Sequence, residues 1–174
     1  MNPAHQSKAN FILKPLSKDG IDAALGKAKH YRLLNQPKLA ESICLDILDI
    51  DPGNQEACVV LLLALTDQLG SSTPAVAQQA REIVSRLKDE YERLYYTGIL
   101  HERQGNVSLN SSLYGSEYDA YEWYLEAMEF YEKAEALQPP ANNDAILRWN
   151  TCVRTIMQYN LHERPSDAIQ PIME

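Results

Sequence analysis

The chain has 174 residues, 45% hydrophobic and 23% charged, which is enough apolar material for one folded core or one short repeat array and argues against wholesale disorder. Its formal net charge of -8 argues against a general nucleic-acid binder, which needs a clustered excess of Lys and Arg to neutralise phosphates, and makes acidic polypeptides and membranes equally poor default partners unless a local basic groove offsets the average field. Only 7 Gly and 9 Pro interrupt a chain rich in good helix formers, so long helices are expected in place of short, turn-rich strands.

Residues 1–18 read as a flexible polar arm with one apolar patch, Phe11 to Leu13 and Leu16, broken by Pro15. The pattern changes at Asp19, which with Ser17 is a candidate cap. Ile21, Ala24, Leu25, Ala28, Tyr31 and Leu34 then recur on one helical face. Asn35 to Pro37 end this helix, and Pro37 suits the first turn of the next, where its missing N–H has no partner to lose. The second helix shows Ala40, Ile43, Cys44, Ile47 and Leu48 before Asp51, Pro52 and Gly53 stop it.

The third helix is expected from Gln55 to Leu69, and the fourth from Pro74, capped by Thr73, with Ala77, Ala80, Ile83, Val84 and Leu87 inward. A turn near Asp89 leads to a fifth helix, Tyr91 to Gln104, closed by Gly105 as a left-handed C-terminal glycine. A polar loop from Asn106 to Gly115 follows. Ser116 and Asp119 then resemble a capping box for a sixth helix running to about Gln138. After Pro139 and Pro140, Asn142 or Asn143 caps a seventh helix that buries Ala145, Ile146, Trp149, Val153 and Ile156. The helical domain thus spans 19–163, with a tail over 164–174.

Helix pairs at this spacing raise the question of a tandem repeat. Ala28 and Tyr31 in the first helix, Ala40 in the second and the closing Pro52 form one set, and Leu94 and Gly98 followed by Ala127, Tyr131, Ala134 and Pro139 form another. These spacings resemble the tetratricopeptide repeat family over residues 21–139, with 141–162 as a capping helix. The chain departs from the family where Cys44 and Ile47 replace an aromatic and an Ala, where Leu94 and Gly98 are four apart instead of adjacent, and where the middle pair lacks its closing Pro. The Asn106 to Gly115 loop is a further insertion into the usual unit of about 34 residues.

The resemblance implies an all-α fold of antiparallel helix hairpins wound as a right-handed superhelix, an α-solenoid. It also implies a non-catalytic scaffold for a protein or peptide partner. In that register Lys29, Arg32, Leu33, Tyr95, Ile99, Glu102 and Arg103 line a groove, to which the capping helix adds Arg148, Asn150 and Arg154. Arg can hold a carboxylate there by forked hydrogen bonds, although exposed Arg and Lys on helices are more commonly paired with a neighbouring Glu. The Lys/Asn clamp of chaperone-tail binders is not reproduced, because the middle helix offers Leu63, Thr66 and Asp67.

No phosphate loop, nucleophile elbow or zinc helix occurs, so neither an enzyme nor a cofactor is expected. His5, His30, His101 and His162 are scattered and read as solvated helix ends, not metal ligands. Cys44, Cys58 and Cys152 read as buried free thiols. The longest apolar run, Ala57 to Leu65, is far shorter than the roughly 20 residues a bilayer span needs. Without a secretory signal at the N-terminus, the cytoplasm is the default address and a membrane is not an expected partner.

A concentration of aromatics, Tyr91, Tyr95, Tyr96, Tyr114, Tyr118, Tyr121, Trp123 and Tyr124, is either a core beneath the inserted loop or a second interaction surface. Two other functions compete with the scaffold. One is a self-associating homodimer sealed by the arm or the sixth helix. The other is a small-molecule or enzymatic pocket near Trp123, Tyr124, Arg148 and Trp149.

Overall fold

The structure is a computed structural model that describes residues 12–71 and 74–165. Its helices are α1 (Ile21–Leu33), α2 (Pro37–Ile50), α3 (Gln55–Thr66), α4 (Pro74–Ser85), α5 (Glu90–Leu109), α6 (Ser116–Glu135) and α7 (Asp144–Tyr159). Short 3₁₀ turns cover Lys18–Gly20 and Leu69–Ser71, and no strand occurs among the described residues. The fold class is all-α.

Local chemistry sets most of the boundaries. Asn35 adopts a left-handed φ of 56°, and Gln36 N–H reaches back to Tyr31 O at 2.9 Å, so α1 ends in a Schellman-type reversal and Pro37 opens α2. Asn54 Oδ1 accepts from Ala57 N–H at 2.9 Å and Asp89 Oδ1 from Glu92 N–H at 2.9 Å, each satisfying a donor that the first turn of α3 or α5 leaves free. Asn142 Oδ1 accepts from Asp144 N–H at 2.8 Å at the start of α7.

Five sequence expectations are corrected. Neither Ser17 nor Asp19 caps α1, which follows directly on the 3₁₀ turn with Gly20 before it. α3 stops at Thr66, and the chain resumes as a 3₁₀ turn at Leu69. α5 does not end at Gly105 but continues to Leu109, with Gly105 buried inside the helix. The capping box at Ser116 is absent: Gly115, at φ 82°, makes the turn, and Ser116 Oγ instead donates to Ser111 O at 3.2 Å. α6 ends at Glu135, short of Gln138. Thr73 and Phe11 lie outside the described residues.

Each helix packs against the next in sequence, and α1 also meets α3 while α3 meets α5. One core joins α1 to α4 through Leu25, Cys44, Ile47, Leu61, Leu62, Leu65 and Ala80, with Leu87 beyond α4 and Leu100 of α5 reaching into it. A second joins α5 to α7 through Ile99, Tyr124, Tyr131, Ala145 and Cys152. Burying a Leu or Ile of this kind stabilises by roughly 1.5–3 kcal/mol.

The small residues decide how closely the helices approach. Ala28, Ala40, Ala120, Ala127 and Ala134 are fully buried, whereas Tyr31 and Leu94 are half-buried and Pro52 and Pro139 lie exposed in turns. Leu16 packs onto the first core, and Arg164 donates to Asp119 Oδ1 at 2.7 Å with its guanidinium over the Tyr118 ring.

Candidate functional site

The odd-numbered helices place their charged side chains against one another. Arg32 Nε of α1 donates to Oδ2 of Asp67, just past α3, at 2.7 Å, while Arg103 Nη2 of α5 lies 3.4 Å from the other oxygen. Asp67 thus bridges two cations from two helices. Lys29 of α1 pairs with Glu56 of α3. That contact is well exposed, so it contributes little to stability.

One step further along, Glu102 of α5 is buried and bonded on both oxygens. Tyr131 Oη of α6 donates to Oε2 at 2.6 Å, and Arg148 Nη1 of α7 donates to Oε1 at 3.0 Å. A buried carboxylate with two such donors is expensive to leave uncompensated. Burial pushes the Tyr131 hydroxyl far above its usual range, and the nearby Glu102 charge adds to the shift, so this group is a permanent donor. Tyr95 stacks on Tyr91 with centroids 5.7 Å apart and lies 6.0 Å from Tyr131. Burial raises its hydroxyl and that of Tyr96, the latter to about 12.

These contacts sort the residues expected in the groove. Lys29 and Arg32 lie on α1, Arg103 on α5 and Arg148 on α7, and each is already paired with a carboxylate of the same chain. Ile99 and Glu102 do not line an open surface: they are 2% and 5% exposed, because α5 turns that face onto α6. Tyr95 and Asn150 are half-buried, and Leu33 is exposed. Arg154 is exposed and has no ion-pair partner among the described residues.

The aromatic cluster divides. Tyr124 is buried with its hydroxyl on Asn106 Oδ1 at 2.6 Å, whereas Tyr114 at the loop tip is 99% exposed. His101 is not a solvated helix end. Its ring packs edge-on against Trp123 and Phe130, 5.2 and 5.1 Å away, and its Nδ1 lies 2.8 Å from Glu126 Oε2. Residues of the suggested pocket make contacts of their own. Trp123 faces His101, Trp149 Nε1 donates to Glu132 Oε1 at 3.0 Å, and Arg148 turns to Glu102.

Sequence reasoning missed Asp67 as the shared acceptor and Tyr131 as the donor to Glu102. A signal existed for the first: Arg32, Asp67 and Arg103 are spaced by 35 and then 36 positions, close to one repeat length, so they fall at one level of successive hairpins. Nothing in the local sequence marks the second, which depends on α6 folding back along α5.

Among the described residues, no three His, Cys, Asp or Glu side chains are grouped to hold a metal ion, and no helix is long and apolar enough to cross a membrane. No family model matches the chain, and neither a curated protein nor a solved structure matches it.

Proposed function

We propose that this chain is a non-catalytic interaction scaffold, a tetratricopeptide-like superhelical stack of hairpins that takes a segment of a partner protein on the side formed by α1, α3, α5 and α7. The observation that carries this reading is the set of ion pairs between odd helices, from Arg32 through Asp67 to Arg103 and, at a buried carboxylate, from Glu102 to Arg148. A stack of hairpins offers a long surface of mixed polarity, which suits an extended polypeptide better than a small substrate. The buried thiols support the same reading, because Cys44 and Cys152 are pushed up to about 12 by burial and are poor nucleophiles.

The test is fluorescence anisotropy of the full chain against dye-labelled peptides of acidic, basic, apolar and proline-rich composition. Saturable binding of at least one class is expected, and a flat response to every class would end the reading.

A second copy of the chain is the alternative partner, favoured by the exposed Leu147 and Met157 on α7, the one helix without a following hairpin partner among the described residues. Light scattering over a concentration series decides it: one constant monomer mass removes the homodimer.

A further inference from the structure

The two turn-bearing edges of the array are built differently. At one edge, Arg86 Nη2 donates to Pro52 O at 2.8 Å and Lys88 N–H to Gln55 Oε1 at 2.8 Å, so the α2–α3 and α4–α5 turns are stitched together. The other edge, where α1, α3 and α5 end, is crossed by the Asp67 bridge and holds two cavities. One, about 560 Å³, lies between the α1–α2 turn, at Lys38 and Leu39, and Asp67. The other, about 400 Å³, lies between Asp67 and the last turns of α5, at Arg103, Asn106 and Asn110. Asp67 lines both, which makes them neighbours across a single side chain.

Charge and polarity give this edge a direction. Lys38, Asp67 and Arg103 line the cavities, Asp67 is already held at 2.7 Å by Arg32, and Gln68 of the first cavity donates to Glu41 at 2.8 Å, so three cations stand against two carboxylates, both already engaged, in a chain of net charge -8. Arg103 keeps the longer contact to Asp67, and its Nε is buried without a hydrogen-bond partner. Tyr124 occupies Asn106 Oδ1, which leaves the Asn106 amide nitrogen to donate. Exposed apolar side chains flank the cavities: Leu33, Leu34 and Leu39 at the α1–α2 turn, and Leu113 and Tyr114 in the α5–α6 turn whose Ser111 lines the second cavity.

We propose that this edge holds an extended acidic peptide, with its carboxylates on Arg103 and Lys38 and its flanking apolar side chains against Leu39 at one end and Leu113 and Tyr114 at the other. The inference rests on the scaffold reading and adds an address and a chemistry to it. A basic segment would meet the cationic excess unfavourably, and an uncharged one would leave the Arg103 donors unmatched.

The probes are short dye-labelled peptides with a central Asp-Glu pair between leucines, and matched peptides carrying Asn-Gln or Lys-Lys instead. The Asp-Glu peptide should bind about tenfold tighter than the Asn-Gln one, as expected for charge-assisted hydrogen bonds, and should weaken with salt. The Lys-Lys peptide should bind weakest. Lys38→Glu and the double change Leu113→Ser, Tyr114→Ser alter exposed side chains, so the protein should stay folded, and each should weaken the Asp-Glu peptide several-fold. Arg103→Gln should weaken it most.

Equal binding of all three peptides would overturn the proposal, as would undiminished Asp-Glu binding by both exposed-site variants. If peptides of another class still bind, only the address and chemistry fail and the scaffold reading stands. A chain that binds no peptide at all sinks both.

Discussion

Gly98 lies beneath the ring of Tyr131, so close that a Cβ at position 98 would stand 2.5 Å from Tyr131 Cε1. Two helical turns on, Gly105 meets Tyr124 in the same way, at 3.1 Å. As α5 advances from 98 to 105, α6 recedes from 131 to 124, so the pair forms one antiparallel line of glycine against tyrosine. The absent side chains on α5 are what let α6 lie this close.

Gly98→Ala should therefore destabilise the protein by about 1–3 kcal/mol through overpacking, even though alanine gains roughly 1 kcal/mol in helix propensity. Gly105→Ala should cost less, because its contact is looser and the Tyr124 ring can yield. Urea midpoints of the two variants against wild type check the order. Ala127, midway between the two tyrosines and fully buried, gives a companion: Ala127→Leu should also lose about 1–3 kcal/mol.

Glu102 supplies a second test. Tyr131→Phe removes one of its two donors and should cost about 1–2 kcal/mol, since the buried oxygen loses its hydrogen bond while the packing is retained. Arg148→Met removes the only cation paired with Glu102 among the described residues and should cost more, about 2–3 kcal/mol, a figure moderated because Arg148 is itself one-third exposed. Arg154→Met, on the exposed face of the same helix, should stay within about 0.5 kcal/mol of wild type.

The thiols make a kinetic prediction. Cys44, Cys58 and Cys152 are all buried, and burial raises each thiol, Cys44 and Cys152 to about 12. Under native conditions a thiol reagent at pH 8 should label them no faster than the protein unfolds, and all three should react together in urea. Rapid native labelling of any one of them would contradict the packing described.

His101 sets a pH dependence. Burial, the largest cause, lowers its pKa below the ordinary 6.5, with Glu126 pulling in the opposite direction. The unfolded chain therefore binds the proton more readily. The contribution is fully present above pH 6.5 and is lost as pH falls from there through the lower folded value. His101→Gln should narrow the difference in urea midpoint between pH 7.5 and pH 5.5, and an unchanged difference would assign the pH dependence elsewhere.

Much of the helical framework was legible in the sequence because it follows local rules. Pro37 and Pro74 open helices, a turn at Asp89 separates α4 from α5, and the 3.6-residue stripe of α2 marks its buried face, whereas of the stripe expected on α7 only Ala145 is buried, joined by Cys152, and Ile146, Trp149, Val153 and Ile156 are half-buried. One error fell where a glycine was read as punctuation. Gly105 sits inside α5 because Tyr124 needs the space, a tertiary demand that no window around residue 105 contains. The site was less legible still. The family register placed Arg32, Arg103 and Arg148 in the groove, and the expectation that such cations pair with a carboxylate did not disclose that Asp67 and Glu102 would meet them from other helices. Ile99 was placed on the wrong side for the same reason, since α5 is covered by α6 along a face that its own sequence leaves ambiguous.

The most direct measurement is the backbone amide shift map of the isotopically labelled chain titrated with the tightest-binding peptide of the anisotropy panel. The account predicts that perturbations gather on the α1, α3, α5 side and at the turn edge around Lys38, Asp67, Arg103 and Asn106. Perturbations confined to the outer face of α6, around Glu122 and Glu129, would contradict it.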